Sequence, residues 1–256
     1  MFAVMPHKLL IVSMILAALL TVRDSYADTL RLASGSWEPF TSEQQPQYQV
    51  IENIVINAFE AAGHQVELVY YPWKRSYNMA LHGEVDGTFP WFKTDNREKD
   101  FIYSDTIFRV TEVFFHRKDV SFDWQSLSDL EPYVIGTTIG YSHEEILGNA
   151  GLMFESASQE ELNFKKLLHR RVDLSPSVLE AGLYILETQM SPQQAREITY
   201  HPKPFTGGTE HVLFPRSLPK SAFWNREFNR GLAILKRTGQ FQPVTLADEQ
   251  QLLSQP

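Results

Sequence analysis

The sequence predicts an α/β protein of two lobes, and three observations carry that prediction. Strand-like and helix-like stretches alternate from residue 29 to residue 89, the order that builds a parallel sheet. The alternation restarts after Asp119 and runs on to an amphipathic stretch at 222–237. The two halves meet through β-rich runs at 110–118 and 209–216, with no Pro/Gly/Ser linker between them. Two joins imply a discontinuous first lobe: the chain leaves it, builds the second and returns, so that a two-strand hinge borders a cleft. The expected division is 28–112 with 213–256 for lobe 1, and 113–212 for lobe 2.

Residues 1–27 read as a secretory signal peptide. Lys8 supplies the charged start, residues 9–20 an apolar run broken only by Ser13, and Ser25-Tyr26-Ala27 a small-x-small cleavage site. The run is too short for an ordinary membrane span. Residues 29–33 alternate as a strand and lead into Gly35-Ser36-Trp37-Glu38-Pro39-Phe40, a loop with an exposed-looking Trp37. Val50, Ile51, Ile54, Val55, Ala58 and Phe59 hold helical spacing over 49–62, and Gly63 ends that helix. Residues 66–71 form the next strand.

The stretch 70–104 is the most informative. After Pro72 a short helix puts Trp73, Tyr77 and Leu81 on one face, and Gly83 stands where a C-cap glycine belongs. Residues 85–89 read as a strand ended by Pro90, followed by a loop carrying Arg97. Open α/β sheets bind ligands beyond the carboxyl ends of their strands. Here those ends carry Trp73, Trp91, Phe92 and Arg97, aromatic walls around one cation, which suits a small organic anion.

In the second half, 126–130 is a helical turn, 133–137 a strand and 143–150 a helix, with Ser142 and Glu145 at capping-box spacing. Helices at 158–168 and 177–190 flank a strand at 172–174. Strands follow at 198–201 and 211–214. The helix at 222–237 buries Trp224, Phe228, Leu232 and Leu235 and precedes Gly239. The tail after Ala247 is polar and expected to fray.

Composition narrows the functional classes. The chain has 256 residues, 43% hydrophobic and 12% aromatic, enough for a sizeable core. It has no cysteine, which removes disulfides, thiol chemistry and lipoprotein anchoring. A net charge of −8 with no basic block argues against nucleic acid as a partner. The histidines make no close ligand pair, and no nucleophile elbow or phosphate loop is present, so neither metal nor cofactor is expected.

Trp37-Glu38-Pro39-Phe40, Pro72-Trp73, Gly83-Glu84-Val85-Asp86-Gly87, Thr94-x-x-Arg97 with Phe101-x-x-Ser104, and the late Val212-Leu213-Phe214-x-Arg216 occur in an order and spacing that resemble the extracellular solute-binding proteins of family 3, the periplasmic receptors of polar amino-acid ABC importers. The resemblance covers residues 28–245. It implies a type II periplasmic-binding-protein fold, a monomer that closes on a small solute, and an ABC permease as partner. It further implies that Trp37 stacks on the ligand, that Trp73 walls it, and that Arg97 grips a carboxylate; Phe92 joins the ligand-binding candidates from its place at the strand end. Gly140-Tyr141-Ser142 would complete that grip with helix N-terminal N–H groups and a hydroxyl. Two departures stand out. Pro90 and Phe92 occupy positions where the family places hydroxyls, and Val178 stands where it places an Asp for the ligand ammonium, leaving that charge without a partner. The resemblance therefore points to an aromatic or apolar carboxylate. A periplasmic cyclohexadienyl-dehydratase-like enzyme and a sensory protein without a transporter share the fold. The residues leave open whether Glu38, Glu180 or Glu210 reaches the cleft, and whether Phe89 and Trp91 or Pro90 and Phe92 face it.

Export is directly testable. Intact-mass measurement of protein from the periplasm should give a chain beginning at Asp28; a membrane-bound chain retaining 1–27 would overturn the signal-peptide reading.

Overall fold

The computed structural model describes residues 29–241. The segment 1–27 expected to be a signal peptide and the tail after Ala247 lie outside the described residues. In the first part of the chain, β1 (Thr29–Ser34), α1 (Val50–Ala61), β2 (Gln65–Tyr70), α2 (Trp73–Leu81), β3 (Gly87–Phe92), α3 (Asp95–Asp100) and β4 (Phe101–Tyr103) follow one another. The middle contains β5 (Phe108–Arg117), β6 (Ile135–Thr138), α4 (Ser142–Asn149), β7 (Phe154–Ala157), α5 (Glu160–Leu168), β8 (Leu174–Val178), α6 (Leu179–Thr188), α7 (Pro192–Ala195) and β9 (Ile198–Tyr200). Then β10 (Thr206–Pro215) returns to the first part and α8 (Ser221–Thr238) closes it.

The strands run in the order β2-β1-β3-β10-β5-β8-β6-β7, with β4 on β10 and β9 on β5. Within lobe 1, β1 pairs in parallel with β2 and β3, as strand–helix–strand units require. Within lobe 2, β6 pairs in parallel with β7 and β8. The lobes join through β5 and β10, which pair antiparallel only over 108–112 and 206–210. Past that shared ladder, β10 continues against β3 and β4, and β5 against β8 and β9. These are the two β-rich joins read from the sequence.

Each lobe has cores on both sheet faces. In lobe 1, α1 turns Ile51, Ile54, Val55, Ala58 and Phe59 inward against Trp224, Phe228, Leu232 and Leu235 of α8. On the opposite face, Trp73, Tyr77 and Leu81 of α2 pack against Ala33, Trp91, Phe101 and Leu213. In lobe 2 the alternation of β5 sends Phe114 to one cluster, and Val113 and Phe115 to the other. Gly63, Gly83 and Gly239 take positive φ just beyond their helices, as their positions suggest.

Several elements differ from expectation. Pro90 does not end its strand: β3 continues to Phe92. The β3–β10 register shifts between His211 and Leu213, opposite Phe89 and Pro90, and proline is tolerated at such an irregularity. The strand expected at 172–174 lies at Leu174–Val178 and contains Pro176. It touches β6 only at Leu174, so that side of β8 is open at the proline. Arg97 sits on a short helix rather than a loop, capped by Thr94 Oγ1, which accepts from Arg97 N at 3.3 Å. The capping box expected at Ser142 is not formed. Tyr141 is the N-cap, and Gly140 N donates to Glu144 Oε2 at 2.8 Å. The short strands β4 and β7 and the single turn α7 have no counterpart in the sequence reading.

Helix α8 crosses α1 so closely that a Cβ added at Gly231 would lie 1.7 Å from the backbone oxygen of Ala58. Alanine is the better helix former by about 1 kcal/mol, but here two backbones would have to separate. Gly231→Ala is therefore expected to lose about 1–3 kcal/mol. Thermal denaturation should show a fall in Tm of roughly 3–10 °C; an unchanged or raised Tm would refute the close-packing account.

Candidate functional site

The carboxyl ends of β1, β2 and β3 point toward lobe 2, and each delivers an aromatic side chain to the gap. From β1 the chain turns through Trp37, whose N–H and C=O bond Thr41 at 2.9 and 3.0 Å. From β2 it enters α2 at Trp73, and β3 ends in Trp91 and Phe92. Across the gap, β6 leads through Gly140, at φ +87°, into Tyr141 and Ser142 at the start of α4. All six residues singled out from the sequence, Trp37, Trp73, Phe92, Arg97, Tyr141 and Ser142, line one inner chamber, together with Pro90, Trp91, Gly140, Glu112 and Glu210. Pro90, Trp91 and Phe92 all face it, while Phe89 is fully buried in the lobe 1 core. The irregular register at 89–90 breaks the simple alternation from which one face would have been chosen.

Trp37 is not exposed. Its ring packs 4.5 Å from Phe40 and 6.3 Å from Phe108, because the loop after β1 folds back over the core. Trp73 and Trp91 meet edge to face at 5.4 Å. The Trp91 indole N–H donates to Thr88 Oγ1 at 2.9 Å, which fixes its ring beside the Arg97 guanidinium, 4.8 Å away.

Arg97 is 8% exposed. Its Nη1 donates to the carbonyl of Phe92 at 2.8 Å and its Nη2 to that of Gly140 at 2.9 Å, so one side chain bonds both lobes. Burial lowers its pKa, and Tyr103 and Glu210 act in the opposite sense. A second interlobe contact is the edge-on pair Tyr48–Tyr184, with centroids 5.1 Å apart.

Carboxylates dominate the rest of the chamber. Glu112 on β5 and Glu210 on β10 are each 2% exposed, and one oxygen of each has no hydrogen-bond partner. Burial pushes the Glu210 carboxyl up to about 8, against the pull of Arg97 and with a push from Glu112. Glu160 lies behind Tyr141, whose hydroxyl donates to it at 3.5 Å, and Ser177 Oγ also donates to it. Burial raises its carboxyl to about 7. His143 Nε2 accepts from the Thr138 N–H at 3.0 Å, which puts the ring hydrogen on Nδ1, facing Glu112 Oε1 at 3.6 Å. Ser142 Oγ is buried without a partner.

These carboxylates correct the sequence reading. Val178 is core, as its position implied, but the site does not lack negative charge. Glu210 answers the open question, Glu38 lines only the outer space, and Glu180 lines neither of these cavities. Glu112 and Glu160 escaped sequence reasoning. A usable signal existed for Glu112 and Glu210, since each is an acid set inside an apolar run expected to be a hinge strand.

The inner chamber has a volume of about 40 Å³, room for about three waters. It adjoins a larger space of about 590 Å³ that shares Trp37, Trp73 and Tyr141 and extends past Tyr70 and Glu160 to Tyr184.

No family model matches the chain, and no curated protein matches it by sequence. Solved structures do match in fold. A histidine kinase sensor domain with similarity to periplasmic binding proteins superposes with TM-score 0.74 at 18% identity, over 84% of this chain and 93% of that one. The GluR0 ligand-binding core from Nostoc punctiforme, in complex with L-glutamate, gives 0.69 at 18%, over 83% and 95%. An ancestral amino-acid-binding protein, a precursor of cyclohexadienyl dehydratase, gives 0.66 at 16%, over 83% and 91%. The chain thus has the two-lobed, type II periplasmic-binding-protein-like α/β fold.

The buried carboxyls carry a pH signature. Glu52 and Glu160 are raised to about 7, and Glu210 to about 8, all chiefly by burial. A raised carboxyl pKa gives stability that is complete below about 4.5 and is lost as pH rises through the folded value. Burial lowers His116 and His211, whose contributions are complete above about 6.5 and are lost on acidification. Between pH 6.5 and 8.5 the carboxyls therefore set the slope, and Tm should fall as pH rises. Glu210→Gln should flatten that fall and melt higher than wild type at pH 8.5; parallel curves would refute the assignment.

Proposed function

We propose that this protein is a periplasmic solute-binding receptor that captures a small carboxylate-bearing solute between its lobes and presents it, as a monomer, to an ABC permease. The observation that carries this reading is Arg97. A guanidinium buried among Trp91, Phe92 and Tyr103 and bonded to both lobes uses two of its five N–H donors on carbonyls. The other donors, the unpartnered Ser142 hydroxyl and the first amides of α4 make a site for a carboxylate. The fold supports the reading, because structures of similar fold include a complex with L-glutamate.

Capture of the solute proceeds by closure about the shared ladder of β5 and β10, with lobe 1 as 28–112 and 213–256 and lobe 2 as 113–212. The carboxylate sits against Arg97, and the apolar walls Trp37, Trp73 and Phe92 exclude water from it, which strengthens each charge-assisted bond. The larger outer space receives the remainder of the solute.

One observation favours a second reading, a dehydratase-like enzyme. Glu210 is a buried carboxyl still protonated near neutral pH and beside a fixed cation, the state that acid-catalysed loss of water from a bound carboxylate requires. The similarity to the ancestral precursor of cyclohexadienyl dehydratase adds to it. The similarity to a kinase sensor domain fits solute sensing without transport.

Native mass spectrometry of the mature protein should show a small carried solute released on denaturation. Arg97→Ala should weaken its binding by about two to three decades, as expected for a buried anion that loses one partner. Arg97→Lys should recover part of that, because an ammonium cannot make two parallel bonds. Unchanged affinity in the Ala variant would remove the carboxylate assignment. Catalytic loss of prephenate or arogenate, with product appearing, would move the assignment to the enzyme.

A further inference from the structure

The receptor reading uses Arg97 and Ser142 but leaves the floor of the inner chamber unexplained. That floor is the shared ladder of the two hinge strands. Its facing pairs are Thr206 with Glu112, Gly208 with Val110, and Glu210 with Phe108. Facing residues of an antiparallel pair project to the same side, so Glu112 and Glu210 rise on one face, at opposite ends of the ladder. Gly208, between them, presents no side chain and is covered by the Phe92 ring, which a Cβ there would meet at 2.6 Å.

Three features of this arrangement call for a ligand. Glu112 and Glu210 are each 98% buried, both line the chamber, and Oε2 of each has no hydrogen-bond partner. No hydrogen bond joins the two carboxyls among the described residues, so they do not satisfy each other by sharing a proton. Two carboxyl groups face the chamber beside the single guanidinium of Arg97, which is already bonded to two carbonyls, and Glu160 adds a third acid behind Tyr141.

We propose that Glu112 and Glu210 form a cation subsite on the hinge, and that the solute places a protonated amine or guanidinium there. The inference deepens the receptor reading, on which it rests for the identity of the chamber as a ligand site. A nitrogen cation brings N–H donors to both orphaned Oε2 atoms and favours the ionised form of both acids. The walls favour an organic cation, since Trp37, Trp73 and Trp91 line the chamber with aromatic surface. Among the described residues no group of three His, Cys, Asp or Glu side chains is disposed to hold a metal ion. Room for about three waters suits a charged head group, with the rest of the solute in the adjoining space. Because the two acids stand where each strand changes lobes, a cation between them joins the strands at the hinge. Solute charge is thereby coupled to the closed arrangement.

The test uses methylammonium chloride on the full mature protein, with sodium chloride and tetramethylammonium chloride at equal ionic strength as controls. Methylammonium has no carboxylate, so its binding does not depend on Arg97 holding one. At about ten times its Kd it should raise Tm on the order of 3–6 °C. Sodium and tetramethylammonium, which bring no N–H donor, should not. Glu112→Gln with Glu210→Gln should abolish the shift and melt at least as high as wild type without additive. The single, isosteric Glu210→Gln should weaken the shift should the double variant fold poorly. A wild type indifferent to methylammonium, or an equal shift in the Gln variants, overturns the subsite. So does a carried solute that proves to be a carboxylate with no basic nitrogen, an outcome that leaves the receptor reading standing.

Discussion

Strands β5 and β10 each present more backbone than the other can satisfy. Both are ten residues long, yet they pair with one another over five. A buried peptide group without a partner is costly, so the remainder of each strand must find hydrogen bonds elsewhere. They find them on opposite sides, β10 in the sheet with β3 and β4, and β5 in the sheet with β8 and β9. That division makes two lobes and opens the cleft above the shared ladder, which among the described residues is the one strand pairing between them. It also puts residues 112 and 210 at the points where pairing changes hands.

The cleft is polar chemistry held in aromatic surroundings. Arg97 is positioned by a helix of six residues capped by Thr94, and its guanidinium lies beside the Trp91 ring. Low local dielectric strengthens its bonds to Phe92 and Gly140 and equally penalises every polar group left unpaired nearby. Glu210, Glu112 and the Ser142 hydroxyl are such groups. Interiors rarely leave polar atoms orphaned, and their concentration in one small chamber between two lobes is the physical mark of a site that awaits a partner.

Legibility followed the length and period of the signal. The helix of Ile51, Ile54, Val55 and Phe59, and that of Trp224, Phe228 and Leu232, were plain because apolar spacing sustained over three turns seldom arises except on the buried face of a helix. The aromatic and cationic half of the site was equally plain: Trp37, Trp73, Phe92, Arg97, Tyr141 and Ser142 sit near strand ends in one-dimensional order and converge in space. Pro90 misled because a proline's effect depends on whether the neighbouring strand needs its N–H, and the neighbour of Pro90 is more than a hundred residues away in the chain. Glu160 was invisible, since its place behind Tyr141 results from packing α5 against β8 and β6.

By itself the sequence determined the alternation of strands and helices, the two β-rich joins and hence the two lobes. Hydrophobic period and turn chemistry are local and act before any long-range contact exists. It also determined which strand ends carry aromatic rings and which carries the guanidinium. Only the tertiary structure decided the charge of the site. Whether Glu112 and Glu210 are solvated or buried depends on the register of two strands almost a hundred residues apart and on the facing lobe that keeps water out. Desolvation, not residue type, is what sets the Glu210 carboxyl apart from the solvated acids of the chain.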